Sequence, residues 1–367
     1  MSVLSCFTFS VSFLLGCGEV ERLHIDDQIS HTVNTLQVVF EIGKEFGDST
    51  NTFWSIVAAD IDDQGRIFVL DEIDASVKAY DLQGNFIQQV TRSGSGPGEL
   101  LRPRGITVMN NGNLVINAPS KKGYVVFNES LEFVEEVSIW QNNSPYHLSS
   151  LTSDKLVMCR YDENPYTDVM RHMVTICDWK DQNIENVLWK DSIEISSSEW
   201  DRDPSIPLNF CMFHLLSSYG DGNGRVYFGV VDSIDYRVIG WDSTGSEILN
   251  ISRSMNPVKK SDEEIIAESV YMNSVLQRFG DSPWELRPNT YRNMIADVGI
   301  GPDENLWVRR GTHTDLFFDI YDVDGVFLRH AIYPLESWSW ETEITPYGIL
   351  AWELDPLEGY QKLYFIR

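Results

Sequence analysis

The chain has 367 residues, 43% hydrophobic and 12% aromatic, and its 28 Lys and Arg against 55 Asp and Glu give a formal net charge of -27. That length holds two average domains or one large repeat domain, with enough apolar content to bury a core. A uniformly negative field repels phosphate backbones, which argues against nucleic acid as a partner; it leaves a well-hydrated acidic surface, or an attraction for cations and cationic ligands.

The N-terminus, MSVLSCFTFSVSFLLGCGE, is an apolar run ending in Leu14-Leu15-Gly16-Cys17. This resembles a bacterial lipobox, which implies acylation at Cys17 after removal of residues 1–16. The apolar run is too short to span a bilayer comfortably, which favours a cleaved signal, with an uncleaved anchor as the rival. One feature departs from the pattern: no Lys or Arg precedes the apolar run. Residues 17–35 read as a polar tether. The expected location is therefore the cell envelope, lipid-anchored on the outer membrane or facing the periplasm, or outside the cell if the lipobox is not used.

Leu36–Ile42 reads as a strand. A four-strand pattern follows: IVAADIDDQG (56–65) and RIFVL (66–70), then SVKAYD (76–81) and FIQQV (86–90), joined by polar turns. The pattern returns at PRGITVMNNG (103–112), NLVI (113–116), GYVVFN (123–128) and LEFVEEV (131–137). A third copy starts at Pro145, with a longer second hairpin made by HMVTICDW (172–179) and NVLWK (186–190). A fourth carries YGDGNGRVYFGVV (219–231) and YRVIGWDSTGSEIL (236–249); a fifth carries ADVGIGPDENLWVRR (296–310) and LFFDIYDVDGVFLRHAI (316–332). The last segment, 337–367, supplies three strands only, and the strand at 36–42 is the missing fourth. Repeats of about 45 residues with four strands each fit an all-β, six-bladed β-propeller over residues 36–367. The N-terminal strand closes the ring by completing the last blade, which removes open sheet edges.

Unit ends such as TyrAspLeuGlnGly (80–84), then GlySerGlyProGlyGluLeu (94–100) and ProArgGlyIleThrVal (103–108), resemble the NHL-like six-bladed β-propeller lipoproteins of bacteria. MetIleAlaAspValGlyIleGlyProAspGluAsnLeuTrpVal (294–308) is similar to that family's penultimate blade. The resemblance spans residues 36–367 and implies the fold; many members of this group have no assigned chemistry.

Two stretches break the period. Residues 191–212 read as a long polar connection. Residues 261–279 read as a helical insertion between blades 4 and 5, with Ser261 and Glu264 as a capping box and Gly280 as the stop. Its apolar side, Ile265, Val270 or Ser269, Met272, Leu276 and Phe279, is expected to pack against a blade; a lid over the channel mouth is the functional alternative.

Motifs for known chemistries are absent: there is no GxSxG elbow, no phosphate loop of the GxxxxGK type and no HExxH. Gly94–Gly98 is Gly-rich, but no helix follows it, so it reads as a crossing between blades rather than a phosphate cradle. Asp60-Ile61-Asp62-Asp63-Gln64-Gly65 and Gly220-Asp221-Gly222-Asn223-Gly224 lack the final acidic ligand of a calcium loop and read as turns. Five Cys give no disulfide framework; Cys159 and Cys177 could face each other across a hairpin but read first as small buried residues.

The repeat register places Arg104, Tyr146, His147 and Asp297 at the entry ends of inner strands, with His214 near the equivalent place in blade 4. Their convergence on one channel mouth would give an acid/base or metal-ligand set, so a calcium-like divalent metal stays open as a cofactor. The leading expectation is a monomeric propeller that binds a small-molecule ligand or a protein partner. The alternative is a propeller hydrolase, lactonase or lyase with a His/Arg/Asp site. A purely structural interaction module is the third reading.

Overall fold

A computed structural model describes residues 23–24, 32–138, 145–164, 169–180, 184–194, 217–278, 285–356 and 359–367. The strands form six antiparallel sheets arranged as the blades of a six-bladed β-propeller. Each of the first five blades runs from inner to outer strand in chain order. Blade 1 is Ile56–Ile61, Ile67–Asp71, Ser76–Tyr80 and Phe86–Gln89; blade 2 is Gly105–Val108, Leu114–Ala118, Gly123–Phe127 and Phe133–Ser138. Blade 3 is Pro145–Ser150, Lys155–Asn164, Val169–Asp178 and Ile184–Glu194. Blade 4 is Ser218–Gly220, Arg225–Gly229, Asp235–Asp242 and Glu247–Ser254; blade 5 is Ile295–Ile300, Leu306–Arg310, Leu316–Tyr321 and Phe327–Tyr333.

Blade 6 joins the two ends of the chain. Trp340–Thr345, Gly348–Glu353 and Leu363–Ile366 come from the C-terminus, and Val38–Ile42 is the outer strand, in register Leu363↔Ile42 and Phe365↔Phe40. The pairing satisfies backbone groups that would otherwise form an exposed edge. Part of the stretch read as a tether also pairs: Val33–Thr35 runs parallel to the outer strand of blade 5, and Leu23–His24 parallel to that of blade 4.

The core is divided among the blade contacts. Six apolar clusters fill the six junctions between neighbouring blades. One sets Phe68, Leu70 and Val77 of blade 1 against Ile106, Leu114 and Val125 of blade 2; another sets Leu350, Trp352 and Phe365 of blade 6 against Ile56, Val69 and Tyr80 of blade 1. Both faces of the middle strands are therefore buried, so Ile67–Asp71 and Leu114–Ala118 read as continuous apolar runs rather than alternating ones.

Several local expectations are refined. Blade 3's second strand continues through Asn164 and its outer strand through Glu194, so the hairpin is longer than the polar sequence at 161–168 suggested, and the connection starts later than 191. In this register Cys159 faces Val174 and Cys177 faces Leu156. The two thiols lie in different interblade clusters, both buried and neither in a disulfide. In the crossing between blades 1 and 2, Gly94 and Gly98 carry positive φ, and the Glu99 carboxylate accepts from Gly96 N at 2.9 Å, so this Gly-rich loop is held by its own chain.

The helix, α1, spans Asp262–Gln277 with Ser261 Oγ accepting from Glu264 N. Its buried residues Met272 and Leu276 pack on Leu286 of the same insertion rather than on a blade. Glu264 pairs with Arg292 and Lys260 with Glu268, while Lys260 N and Arg292 N bond across a short ribbon to Thr290 O and Val258 O. Phe279 and Gly280 lie outside the described residues, as do Cys17, the signal segment and His214.

Candidate channel binding site

The six inner strands surround a central channel, and each presents a free backbone edge towards it. Unmet N–H and C=O groups there would be costly. Neighbouring blades meet the need with side chains. Val108 N of blade 2 donates to Asp60 Oδ2 of blade 1 at 2.7 Å, and Gly220 N of blade 4 donates to Ser149 Oγ of blade 3 at 2.6 Å. His147 Nε2 of blade 3 donates to Ser218 O of blade 4 at 2.9 Å. At Gly220 the strands are so close that a Cβ would stand 2.4 Å from Ser150 O.

The entry half of the channel, where the inner strands begin, is filled by polar contacts. Asp297 is 7% exposed. Its carboxylate accepts from Ser217 Oγ at 2.8 Å, Thr342 Oγ1 at 2.6 Å and Val298 N at 2.8 Å. Burial raises its pKa, against the pull of Arg309. Burial also lowers the pKa of His147, with the Asp297 charge opposing, so the imidazole is held neutral and the two groups share one electrostatic environment. Arg309 donates to Trp340 O at 2.6 Å.

Among the described residues, the helix also stands at the entry end. α1 leaves the ring between blades 4 and 5, yet its Tyr271 packs edge-on against Trp338, just ahead of blade 6, with ring centroids 5.8 Å apart. Burial drives the Tyr271 hydroxyl pKa up to about 12, with Glu341 of blade 6 and Glu72 of blade 1 adding to the rise. The helix thus reaches from its insertion between blades 4 and 5 to the start of blade 6.

The expected entry-end constellation is therefore only partly assembled. His147 and Asp297 meet in the channel. Tyr146, one residue from His147, sits at a β-bulge between Pro145 and His147 and does not join the His147–Asp297 pair. Its hydroxyl bonds His172 Nδ1 at 2.9 Å, and it packs in the cluster between blades 3 and 4. Arg104 stays at the rim, where its guanidinium stands 3.8 Å from Glu72.

A cavity of about 420 Å³ occupies the exit half, lined by residues of blades 1, 2, 3, 4 and 6. Its acidic residues are Asp60, Asp62, Asp63, Asp221 and Glu343, with Tyr219 and Tyr347 beside them; none of its lining residues is Lys, Arg or His. Asp62 is engaged by Arg66 Nε at 2.6 Å. Asp60 is not part of the turn that the sequence suggested: it lies in the inner strand and Asp62 makes the turn, accepting from Gln64 N and Arg66 N. Burial raises the Asp60 pKa to about 6, against the hydrogen bonds from Val108 N and Ile61 N. Burial raises the Glu343 pKa well above its usual range, and the charges of Asp60 and Asp297 raise it further. Glu343 has no hydrogen-bond or ion-pair partner among the described residues. Burial likewise raises the Tyr219 pKa, with Glu343, Asp60 and Asp221 contributing.

The sequence analysis missed Glu343 and Tyr219 because it read only the first residues of each inner strand. The signal was present further along the same register, where Asp60 interrupts the apolar run IVAADI (56–61) and Glu341 and Glu343 alternate through WETEIT (340–345). Among the described residues no group of three or more His, Cys, Asp or Glu is gathered tightly enough to hold a metal ion, and no helix is long and apolar enough to cross a membrane.

Comparison with known proteins supports the fold. A family model described as a 6-bladed beta-propeller matches residues 55–219, which span blades 1 to 3. No curated protein matches the chain. Among solved structures, the chain is similar to a Bacteroides fragilis protein whose name describes it as exported, at 12% identity over 90% of this chain and 95% of that one, TM-score 0.49. It is also similar to the calcium-binding protein regucalcin of Agrobacterium tumefaciens, at 11% identity over 91% and 95%, TM-score 0.45. A gluconolactonase of Xanthomonas campestris matches at 11% identity over 90% and 89%, TM-score 0.46.

Proposed function

We propose that this chain is a binding propeller of the cell envelope whose exit-side cavity takes a small organic cation. The lipobox-like sequence at Leu14–Cys17 supports the envelope location, with the propeller held outside the cytoplasm by lipid on Cys17. One observation carries the ligand class: Asp60 and Glu343 share a cavity that contains no basic lining residue, and burial makes both reluctant to ionise. A cation entering between them restores the charge that burial disfavours. A volume of about 420 Å³ suits an organic molecule rather than a single ion.

Binding is favoured over hydrolysis or elimination because His147 and Asp297 are committed to neighbouring inner strands, away from the cavity. Titration calorimetry of the full chain with butylamine and with butyrate tests the reading. The amine is expected to bind, the anion not, and Glu343→Gln to weaken the amine at least several-fold. Equal binding of amine and anion, or no binding by any amine, refutes it.

A further inference from the structure

The insertion between blades 4 and 5 is built as a unit of its own. Asn273 clamps α1 to the returning chain: its Nδ2 donates to Leu286 O at 3.0 Å, and its Oδ1 accepts from Leu286 N at 2.8 Å. Ser269 Oγ donates to the same Leu286 O at 3.4 Å, and the Leu286 side chain packs with Met272 and Leu276. A polar clamp and a small apolar core therefore fix the helix to its own insertion.

The connection to the ring is narrow. Lys259 and Tyr291 pair as a single antiparallel bridge, flanked by Lys260 N donating to Thr290 O at 3.0 Å and Arg292 N donating to Val258 O at 2.9 Å. The Glu264–Arg292 and Lys260–Glu268 ion pairs tie the first turns of α1 to this ribbon, so they lie within the insertion and its root. Among the described residues no blade strand packs along α1. Ile266 and Val270 are 64% and 66% exposed, so they do not hold the helix against a blade. The aromatic contact that joins the helix to the ring is Tyr271 on Trp338, which is itself only partly buried. Tyr271 lies within electrostatic reach of Glu341 and Asp355 of blade 6 and Glu72 of blade 1. Glu341 belongs to blade 6's inner strand, next to Thr342, which donates to Asp297. The Tyr271 ring thus stands beside the polar contacts of the channel's entry half.

We propose that the insertion is a hinged lid at the entry end of the channel: α1 and Leu286 turn as one body on the ribbon Val258–Lys260/Thr290–Arg292, and Tyr271 latches that body shut against Trp338. A rigid flap with a two-stranded root and one aromatic latch has two arrangements, because its internal bonds survive opening and only the latch is broken. Opening uncovers Glu341 and, behind it, the Asp297–His147 pair. The device belongs to the entry end and does not depend on what the exit-half cavity binds.

Carboxyl footprinting of the full chain with a carbodiimide and glycine ethyl ester, read by peptide mass spectrometry, tests the lid. Modification of Glu341 follows the open population. Trp338→Ala and Tyr271→Ala each remove the latch, and each is expected to speed Glu341 modification about two- to tenfold, the weight of one edge-on aromatic pair. Tyr271→Phe keeps the ring and is expected to leave the rate unchanged. Hydrogen exchange of the same variants reads the helix: the Asp262–Gln277 amides are expected to keep their protection in all three, because the helix opens folded, whereas Leu286→Ala removes the insertion's own core and strips it. Asp319, fully buried between blades 4 and 5, reports global unfolding and is expected to stay unmodified. If Trp338→Ala exposes it, Tyr271→Ala, on the lid side of the latch, decides. A Glu341 rate that loss of the latch does not move overturns the lid. Loss of α1 protection on loss of the latch overturns the rigid body and makes the ring contact part of the helix's own fold.

Discussion

Replacing Asp60 by Asn should change the stability of the protein with opposite signs at low and high pH. Burial moves this carboxyl from 3.8 to about 6. The native state binds the proton more tightly than the unfolded chain, so stability falls as pH rises between those values and the full penalty is in place above about 6. Two pH units correspond to about 3 kcal/mol, and water in the lumen reduces this towards about 2 kcal/mol. Asn removes the penalty but has a single acceptor oxygen, while Asp60 accepts from Val108 N on one oxygen and Ile61 N on the other. Losing one of these bonds costs about 1 kcal/mol. The variant should thus be about 1 kcal/mol more stable than the parent at pH 8, and about 1 kcal/mol less stable at pH 4, where the parent carries no penalty. Urea unfolding at both pH values, followed by Trp fluorescence, reads the two differences. Glu343→Gln, which sacrifices no hydrogen bond, should stabilise more than Asp60→Asn at pH 8. A variant destabilised equally at pH 4 and pH 8 would refute the claim that Asp60 is desolvated in the channel.

Other outcomes follow from contacts elsewhere. Asp319, between blades 4 and 5, takes Arg253, Arg310 and Tyr236 on one oxygen at 2.7–2.8 Å and is fully buried; Asp319→Ala should cost about 3–5 kcal/mol in urea unfolding, because two buried guanidinium groups lose their carboxylate. Cys159 is buried and desolvation drives its thiol up to about 12; at pH 8 iodoacetamide should leave its peptide unmodified by mass spectrometry until the protein is unfolded. Deleting residues 1–42 removes the outer strand of blade 6 and should lower the thermal midpoint and promote aggregation through the exposed Leu363–Ile366 edge; deleting 1–31 should do neither.

The architecture was legible because propeller blades are local. Each hairpin is closed within a few residues by its own turn, as Asp62, Asp81, Asp221, Asp242 and Asp322 show by capping their loops. Alternation, turn chemistry and a repeat of about 45 residues therefore carry the strand order, and the shortage of one strand in the last unit identifies Leu36–Ile42 as the closing strand. The helix was equally visible from Ser261 and Glu264. Its packing was not, since Met272 and Leu276 find Leu286 within the insertion, a contact that no periodicity announces.

The candidate site was less legible, and the physical reason lies in the channel. A strand's register says which residues share a face, yet side chains near the axis are selected by the backbone groups of the next blade. His147 and Asp297 were found because they occupy equivalent repeat positions, but the partners that commit them, Ser218 O, Ser217 and Thr342, come from other blades. Tyr146 and Arg104 share the register and still point elsewhere. Sequence by itself determined six blades, their order and their closure, since these depend on local pairing and hydrophobic period. Only the tertiary structure decided which carboxylates line the exit-half cavity, because desolvation and proximity arise when separate strands converge on one axis.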